Sequence, residues 1–136
     1  MKTTTVILTL ILAIIALASA CGGSSATATS DPNSPTSVSK RFVEAARKKD
    51  VSTFKSLLSK KALTTMETDA KEAGTNADAM IKEFLAQDLF NGQGELEFRD
   101  EAISGDTATV EFKDTSGKWN KNTLVKENGV WKVSLD

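Results

Sequence analysis

The sequence predicts an α+β domain in which helices come first and an antiparallel sheet follows. Apolar residues recur at helical spacing from Val38 to Leu89, and at alternate positions from Leu96 onwards. Turn residues such as Asn128-Gly129 separate the later apolar runs, which is typical of hairpins. The stretch 35–136, about a hundred residues, suffices for one compact domain with one core. We therefore expect a single domain over residues 35–136.

The first twenty residues have the layout of a secretory signal peptide. Lys2 supplies a positive charge, and Val6–Ala20 is apolar apart from Thr9 and Ser19. This run is shorter than the roughly 20 apolar residues of a membrane-spanning helix, and no basic segment follows it directly. Residues 1–20 are therefore expected to be removed after export.

The residues before Cys21 resemble the lipobox of bacterial lipoproteins. They read Leu17-Ala18-Ser19-Ala20, with Ala18 at the position where that family usually has Leu. The resemblance implies cleavage before Cys21 and a diacylglyceryl thioether on its sulfur, and two or more acyl chains hold a protein durably on a membrane. Cys21 is the only cysteine, so the domain has no internal disulfide. We expect a membrane-anchored, extracytoplasmic protein, on the periplasmic face or the cell surface.

Residues 21–34 are expected to be the lipidated cysteine and a flexible tether. Gly22–Ser34 contains no large apolar residue to bury. A coil of this length spans about 20 Å, which keeps the domain and its partners near the bilayer.

Three helices are predicted at the start of the domain. The first runs from a cap at Ser34 to about Lys49. The second starts after Asp50 and continues through Met66 after a break near Ser59-Lys60-Lys61. The third begins at Thr75-Asn76-Ala77-Asp78, which resembles a capping box. Their inward-facing residues are predicted to be Val38, Phe42, Ala45, Ala46, Val51, Phe54, Leu57, Leu58, Leu63, Met66, Met80, Ile81, Phe84, Leu85 and Leu89.

Four strands follow a turn signal at Asn91-Gly92-Gln93-Gly94. In the first strand, Phe98 and Ile103 are an odd number of residues apart, so both face the core only if the strand changes phase. We therefore predict a β-bulge around Asp100. The second strand alternates Ala108, Val110 and Phe112 with polar residues, and the last two are Lys118–Lys126 and Val130–Leu135.

The turns predict the strand register. A two-residue turn at Asn128-Gly129 pairs Leu124 with Val133 and Lys126 with Trp131. A three-residue loop, Thr115-Ser116-Gly117 with Gly117 left-handed, pairs the second strand with the third. The pairs are Glu111 with Lys121, Asp114 with Lys118 and Ala108 with Leu124. A four-residue loop would instead bury Trp119 with Phe112.

The two-residue turn and the three-residue loop agree, and together they give the candidate site residues. Four residues share the face of Val110 and Phe112 and are predicted to line a pocket: Asn120, Asn122, Leu124 and Trp131. The alternative is that they are core or rim residues without a ligand. Trp119 and Val125 lie on the opposite face, where they are predicted to form a contact patch.

Two stretches resemble the nuclear transport factor 2-like superfamily, in a branch of small bacterial lipoproteins. They are Ile103-Ser104-Gly105-Asp106-Thr107-Ala108-Thr109-Val110 and Leu124-Val125-Lys126-Glu127-Asn128-Gly129-Val130-Trp131-Lys132-Val133. The resemblance covers roughly residues 34–136 and implies a cone-shaped roll, in which a curved four-stranded meander wraps around the helices and sometimes leaves a pocket open. The superfamily includes isomerases, dehydratases and pure binding modules, so its fold does not specify a chemistry.

The composition excludes several kinds of catalytic site. The chain has no His, no Tyr and one Cys, which excludes Ser-His and Cys-His nucleophiles and zinc sites built on His or Cys. The superfamily's isomerases use a Tyr beside a protonated Asp, an arrangement that the missing Tyr excludes. The acidic run Glu95, Glu97, Asp100 and Glu101 lacks the spacing of a calcium loop and is interpreted as a solvated face. We expect no cofactor, no metal and no catalytic residue.

Charge is distributed unevenly along the domain. From Lys40 to Lys61 eight Lys or Arg accompany two acids, whereas from Ala62 to Asp114 four accompany thirteen. The basic helical end near the tether is expected either to rest against anionic lipid or to be an ordinary solvated face. A net charge of −1, together with export, argues against nucleic acid as a partner.

These observations favour a membrane-anchored envelope lipoprotein that acts as a non-catalytic binding or interaction module. Its expected partners are membrane lipid, through acylated Cys21, and an envelope protein. A carrier that holds a small apolar ligand in the cone pocket is the alternative, and a carboxylate-based enzyme comes third.

Overall fold

The computed structural model describes residues 31–87 and 94–135. The predicted signal peptide, Cys21, most of the tether, Leu89 and the turn residues 91–93 lie outside the described residues. Within them, four helices precede four antiparallel strands that are neighbours in sequence order. The predicted α+β class, with helices first, is confirmed.

Helix α1 (Pro35–Arg47) begins where the sequence predicts. The side-chain oxygen of Ser34 accepts a hydrogen bond from Ser37 N at 3.2 Å and caps the helix. The predicted stripe is buried, namely Val38, Phe42, Ala45 and Ala46. The helix ends before the predicted Lys49 because Lys49 has a φ of 56°, a left-handed conformation that is incompatible with a helix interior.

The predicted break near Ser59-Lys60-Lys61 is present and divides the predicted second helix into two. Helix α2 (Val51–Leu57) is capped by Asp50, as predicted, and helix α3 (Lys60–Glu72) is capped by Ser59. The residue between them, Leu58, is extended and forms a parallel bridge to Val133, and Ser59 N donates to Val133 O at 2.8 Å. The chain breaks here because it lies for two residues beside the last strand of the sheet.

Helix α4 (Ala77–Ala86) is capped by Asn76, whose side chain accepts from Ala79 N at 2.9 Å. The predicted capping box between Thr75 and Asp78 is wrong, because Asn76 and not Thr75 is the N-cap, and Asp78 accepts from Lys55 Nζ at 2.7 Å. The predicted stripe is only partly buried: Ile81 and Leu85 are in the core, Met80 is half-buried and Phe84 is 37% exposed.

The sheet consists of β1 (Phe98–Ser104), β2 (Thr107–Lys113), β3 (Trp119–Glu127) and β4 (Val130–Ser134). The last two strands match their predicted bounds to within one residue. Asn128 and Gly129 have φ values of 50° and 80°, so both residues of the β3–β4 turn are left-handed. This is the geometry that an Asn-Gly pair favours between twisted strands.

The predicted register is confirmed along β2, β3 and β4. The observed pairs are Ala108 with Leu124, Glu111 with Lys121, Leu124 with Val133 and Lys126 with Trp131. Asp114 N donates to Lys118 O at 2.8 Å and Gly117 has a φ of 81°, so the β2–β3 loop has the predicted three residues. Trp119 therefore lies opposite Lys113, and the alternative that buries it with Phe112 is excluded.

The predicted bulge in β1 is also present. The register shifts between Arg99 and Ala102, and Asp100 has a φ of 52°. Phe98 lies opposite Phe112 and Ile103 opposite Ala108, so the bulge places both on one face. Ile103 is nevertheless 56% exposed, because the described helices leave this end of the edge strand uncovered.

The core lies between the helices and one face of the sheet, here called the inner face, which carries Ala108, Val110 and Phe112. Helix α1 contacts β1, β2 and β4, and α2 contacts α1, α4 and β4. The rings of Phe42 and Phe54 stack with their centroids 4.3 Å apart. The opposite, outer face of the sheet contacts helices at the β4 end, where Lys132 Nζ donates to Ser56 O at 2.6 Å and Lys60 N donates to Glu127 Oε1 at 2.9 Å.

Candidate functional site

The four predicted pocket residues share the inner face of the sheet, as their register requires. Asn120 lies opposite Phe112, Asn122 opposite Val110, and Leu124 opposite Ala108. Leu124 is 0% exposed and Trp131 is 5% exposed, and both belong to the hydrophobic core. These two side chains fill space on the inner face, and the pocket itself remains a prediction.

The two inner-face amides bind other parts of the domain. Asn122 Nδ2 donates to Ser39 Oγ at 2.6 Å, and Ser39 is fully buried on α1. Asn120 Nδ2 donates to Asp114 Oδ2 at 2.7 Å and to Lys118 O at 3.2 Å. Both amide nitrogens are therefore used for the attachment of β3, one to α1 and one to the β2–β3 loop.

The carboxylate of Asp114 organises the β2–β3 loop. Its Oδ1 accepts from Ser116 Oγ at 2.6 Å, and from Ser116 N and Lys118 N, each at 2.9 Å. The Ser116 hydroxyl first, and then the Asn120 amide, lower the pKa of Asp114 from 3.8 to about 2. A carboxyl group held ionised by four donors is suited to fixing a loop and unsuited to acting as a general base.

The two predicted contact residues lie on the outer face, but the structure does not bring them together. Trp119 begins β3 and Val125 lies six residues later on the same strand, so about 20 Å separates them. The guanidinium carbon of Arg99 lies 3.9 Å from the centre of a Trp119 ring, and Lys113 Nζ lies 5.6 Å from it. Arg99, Lys113 and Trp119 are called the Trp119 cluster below.

Acidic residues balance the cations of the Trp119 cluster. Arg99 Nε donates to Glu111 Oε2 at 2.8 Å, and Lys113 Nζ donates to Glu97 Oε1 at 2.9 Å. Both cations are thereby oriented over the indole, where a cation–π contact is favourable. The sequence did not predict this cluster, although the pairing of Lys113 with Trp119 follows from the confirmed register.

One surface cavity lies along α3, which contributes none of the residues of the Trp119 cluster. It has a volume of about 490 Å³, and its described lining comes from α3 alone: Lys60, Lys61, Thr64, Thr65, Thr68 and Asp69. One helix face cannot enclose a ligand, and the hydroxyls of Thr64 and Thr68 donate to the carbonyls of Lys60 and Thr64 in the same helix. The described lining of this groove is polar, but it comes from one helix and does not surround a ligand.

A second cavity, of about 410 Å³, lies where α2, α3 and α4 meet, beside Lys55 and Asp78. Lys55 Nζ donates to Asp78 Oδ1 at 2.7 Å, which raises the pKa of Lys55. Asp50 at the start of α2 accepts from Thr53, which lowers the pKa of Asp50. Both shifts favour the charged forms, so these groups fasten helices and do not supply a neutral base or acid near pH 7.

The acidic residues in and directly before β1 bind different partners. Glu97 binds Lys113, Asp100 lies 3.2 Å from Arg99 Nε, and Glu101 accepts from Thr36 at the start of α1. In the described ranges, 31–87 and 94–135, no three Asp, Glu, His or Cys residues are grouped so that they could hold a metal ion. The same ranges contain no helix long and apolar enough to cross a membrane.

Known proteins resemble this chain in sequence and in fold. Residues 19–134 match the family described as Domain of unknown function (DUF4878). No curated protein matches the chain. Among solved structures it is similar to a presumed NTF2-like transpeptidase from Campylobacter jejuni, with a TM-score of 0.56 and 15% identity over 75% of this chain and 98% of that one.

The family match covers most of the chain, and the structural match supports the nuclear transport factor 2-like fold that the sequence resemblance implied. At 15% identity the likeness to the Campylobacter jejuni protein concerns the fold alone. The chain therefore belongs to the family described as Domain of unknown function (DUF4878), with a nuclear transport factor 2-like α+β fold.

Proposed function

We propose that the chain is an envelope lipoprotein, anchored through Cys21, whose domain binds an envelope protein without catalysing a reaction. The anchor is supported by the signal-like residues 1–20 and by the lipobox-like Leu17-Ala18-Ser19-Ala20 before the only cysteine. The family match starts at Ser19 and so includes this junction. Cleavage before Cys21 would leave the domain on a short tether at the membrane surface.

The anchor is tested by replacement of Cys21. In the Cys21→Ser variant we expect no acyl mass on the purified chain, and either release of the domain or retention of the uncleaved signal. A matched control, Cys21→Ser combined with Ser24→Cys, restores a thiol three residues away from the junction and is expected to behave like Cys21→Ser. Normal processing and an acyl-modified product from either variant would contradict the assignment.

The proposed binding role is supported by a difference between the two faces of the sheet. The inner face is occupied by buried residues, with Val110 and Leu124 both 0% exposed, and its amides bind Ser39 and Asp114. The outer face presents the half-buried Trp119 between two oriented cations. An aromatic ring with flanking Arg is a combination enriched at protein–protein contacts. This contrast supports recognition of a protein by the outer face over storage of a small molecule inside.

The variant Trp119→Ala, made in the anchored chain, tests whether the outer face binds a protein. We expect loss of a protein that otherwise co-purifies with the wild-type chain from its own envelope and is identified by native mass spectrometry. Thr123→Ala, on the same face and strand, is the matched control and is expected to retain that protein. Equal retention by Trp119→Ala would contradict a role for the Trp119 cluster.

The alternative, a carrier of a small ligand, predicts a different result in native mass spectrometry. A small molecule retained by the wild-type chain, and lost when Asn122 or Leu124 is enlarged, would favour the carrier over the interaction module. Catalysis has little support from the residues available, since the chain lacks His and Tyr and its Cys21 is assigned to lipid. The transpeptidase description of the Campylobacter jejuni protein does not alter this, because 15% identity supports the fold alone.

A further inference from the structure

The outward side of α1 and the turn after it form a strongly basic part of the described surface. Val38, Phe42, Ala45 and Ala46 pack one side of the helix onto the core. The helical period places the charged residues of α1 on the other side, and the turn after it adds Lys48, Lys49 and Asp50, so five cations accompany two acids, Glu44 and Asp50. The cations are Lys40, Arg41, Arg47, Lys48 and Lys49. The surface formed by Lys40, Arg41 and Lys48 is called the α1 basic face.

Although Glu44 lies one helical turn from both Lys40 and Lys48, cations outnumber acids on the α1 basic face in the described part of the chain. Within it, no carboxylate forms an ion pair with Lys40, Arg41 or Lys48. Arg41 Nη2 donates to Pro32 O at 3.2 Å, but a carbonyl oxygen leaves the positive charge in place. Three cations outside α1 do form ion pairs: Lys55 with Asp78, Arg99 with Glu111, and Lys113 with Glu97. Lys40, Arg41 and Lys48 are thus three exposed cations without a direct ion pair, grouped on and just after α1 beside the start of the domain.

This face lies next to the point at which the chain leads back to Cys21. The nine residues 22–30 span at most about 30 Å, and the 13 residues of α1 are about 20 Å long. The bond from Arg41 to Pro32 holds the start of the domain against α1. A bilayer that contains the acyl chains of Cys21 would therefore be within reach of Lys40, Arg41 and Lys48.

We propose that the α1 basic face docks on anionic lipid headgroups of the membrane that holds Cys21. The inference rests on the proposed anchor and adds an orientation to it. Helix α1 packs on the inner face of the sheet, so a docked α1 leaves the outer face, with the Trp119 cluster, directed away from the bilayer. The same docking would thus present the Trp119 cluster to a partner.

The test uses the lipidated chain in vesicles of phosphatidylcholine, with and without phosphatidylglycerol. Because Cys21 is the only cysteine, an introduced cysteine is the only free thiol after lipidation. A fluorophore at Glu44→Cys, on the outward side of α1, is expected to be shielded from an aqueous quencher only on vesicles with phosphatidylglycerol, and high salt is expected to remove the shielding. The same fluorophore at Lys121→Cys, on the outer face of the sheet, is expected to stay accessible throughout.

Charge reversal tests which residues carry the docking. Lys40→Glu with Lys48→Glu is expected to lower the ratio of docked to undocked domain by roughly 25-fold or more, since each cation near an anionic surface contributes about fivefold. The control Lys71→Glu with Lys82→Glu makes the same charge change on α3 and α4 and is expected to keep the shielding.

The outcomes separate the two proposals. Flotation of the chain with both kinds of vesicle reports the anchor, whereas shielding reports the orientation. Equal accessibility of the two fluorophores on phosphatidylglycerol vesicles, or equal shielding on neutral ones, would overturn the docking and leave the anchor intact. A chain that floats with neither kind of vesicle would overturn both.

Discussion

The carboxylate of Glu101 caps the start of α1 from the edge of the sheet. Its Oε2 accepts from Thr36 N at 2.8 Å and from Thr36 Oγ1 at 2.6 Å, although 65 residues separate the two along the chain. Glu101 lies within the bulge of β1, where the register shift turns it away from the ordinary alternation. The bulge therefore connects the sheet to the first helix, next to the point where the chain enters the domain.

Replacement of Glu101 is expected to loosen this connection. Glu101→Ala should lower the free energy of unfolding by about 1 kcal/mol, because it removes the acceptor of a helix-terminal N–H and a favourable negative charge at the helix start. Urea denaturation measures the change. Glu83→Ala, an exposed carboxylate on α4, is the control. Equal midpoints for the two variants would show that the Thr36 contacts contribute nothing to stability.

The left-handed backbone at Asp100 gives a second expectation. Asp100→Gly should be tolerated because glycine adopts a φ of 52° without steric cost, whereas Asp100→Val should cost about 1–2 kcal/mol of stability. Thermal denaturation compares the two. Ala102→Val, outside the left-handed position of the same strand, should be close to neutral. If Asp100→Val were as stable as Asp100→Gly, the bulge would not require this backbone conformation.

The sheet was predictable from the sequence because short-range chemistry fixes its register. Asn128-Gly129 requires two left-handed residues and Gly117 one, and these turns together determine which residues of β2, β3 and β4 face the core. The odd spacing of Phe98 and Ile103 was enough to locate the bulge. The same spacing did not predict that Ile103 is exposed. How far the helices extend over an edge strand cannot be determined from the sequence of that strand.

Contacts between distant segments were not predictable in the same way. The sequence located the break between α2 and α3, but it did not predict the contact of Leu58 and Ser59 with Val133 or the ion pair of Asp78 with Lys55. The sequence placed Trp119 and Val125 on one face, but their separation along β3 keeps them from forming one patch. The Trp119 cluster depends on Arg99, from a strand that is not adjacent to β3.

The buried pair of Ser39 and Asn122 is expected to be coupled. Ser39→Ala should cost about 1–3 kcal/mol, because the Asn122 amide loses the hydroxyl that accepts its 2.6 Å hydrogen bond. Ser39→Ala combined with Asn122→Leu should cost less than the sum of the two single variants, since neither polar group is then left without a partner. A double-mutant cycle by urea denaturation measures the coupling. Strictly additive effects would indicate that water replaces the missing partner.

The ionised form of Asp114 should make stability depend on pH in the acid range. Its pKa in the folded protein is about 2, below the ordinary value of 3.8, because Ser116 and Asn120 donate to the carboxylate. A lowered folded pKa means that the contribution is present above about pH 4 and is lost as the pH falls from 4 towards 2. Asp114→Ala, which lacks this contribution, should therefore show a smaller loss of stability over that window than the wild-type chain.

Urea denaturation at a series of pH values tests this expectation. The control Asp69→Ala removes an exposed carboxylate of α3 and should leave the acid dependence of the wild-type chain in place. Because other carboxylates also titrate in this range, the informative quantity is the difference between each variant and the wild-type chain at the same pH. Parallel curves for Asp114→Ala and the wild-type chain would show that the β2–β3 loop does not depend on the charge of Asp114.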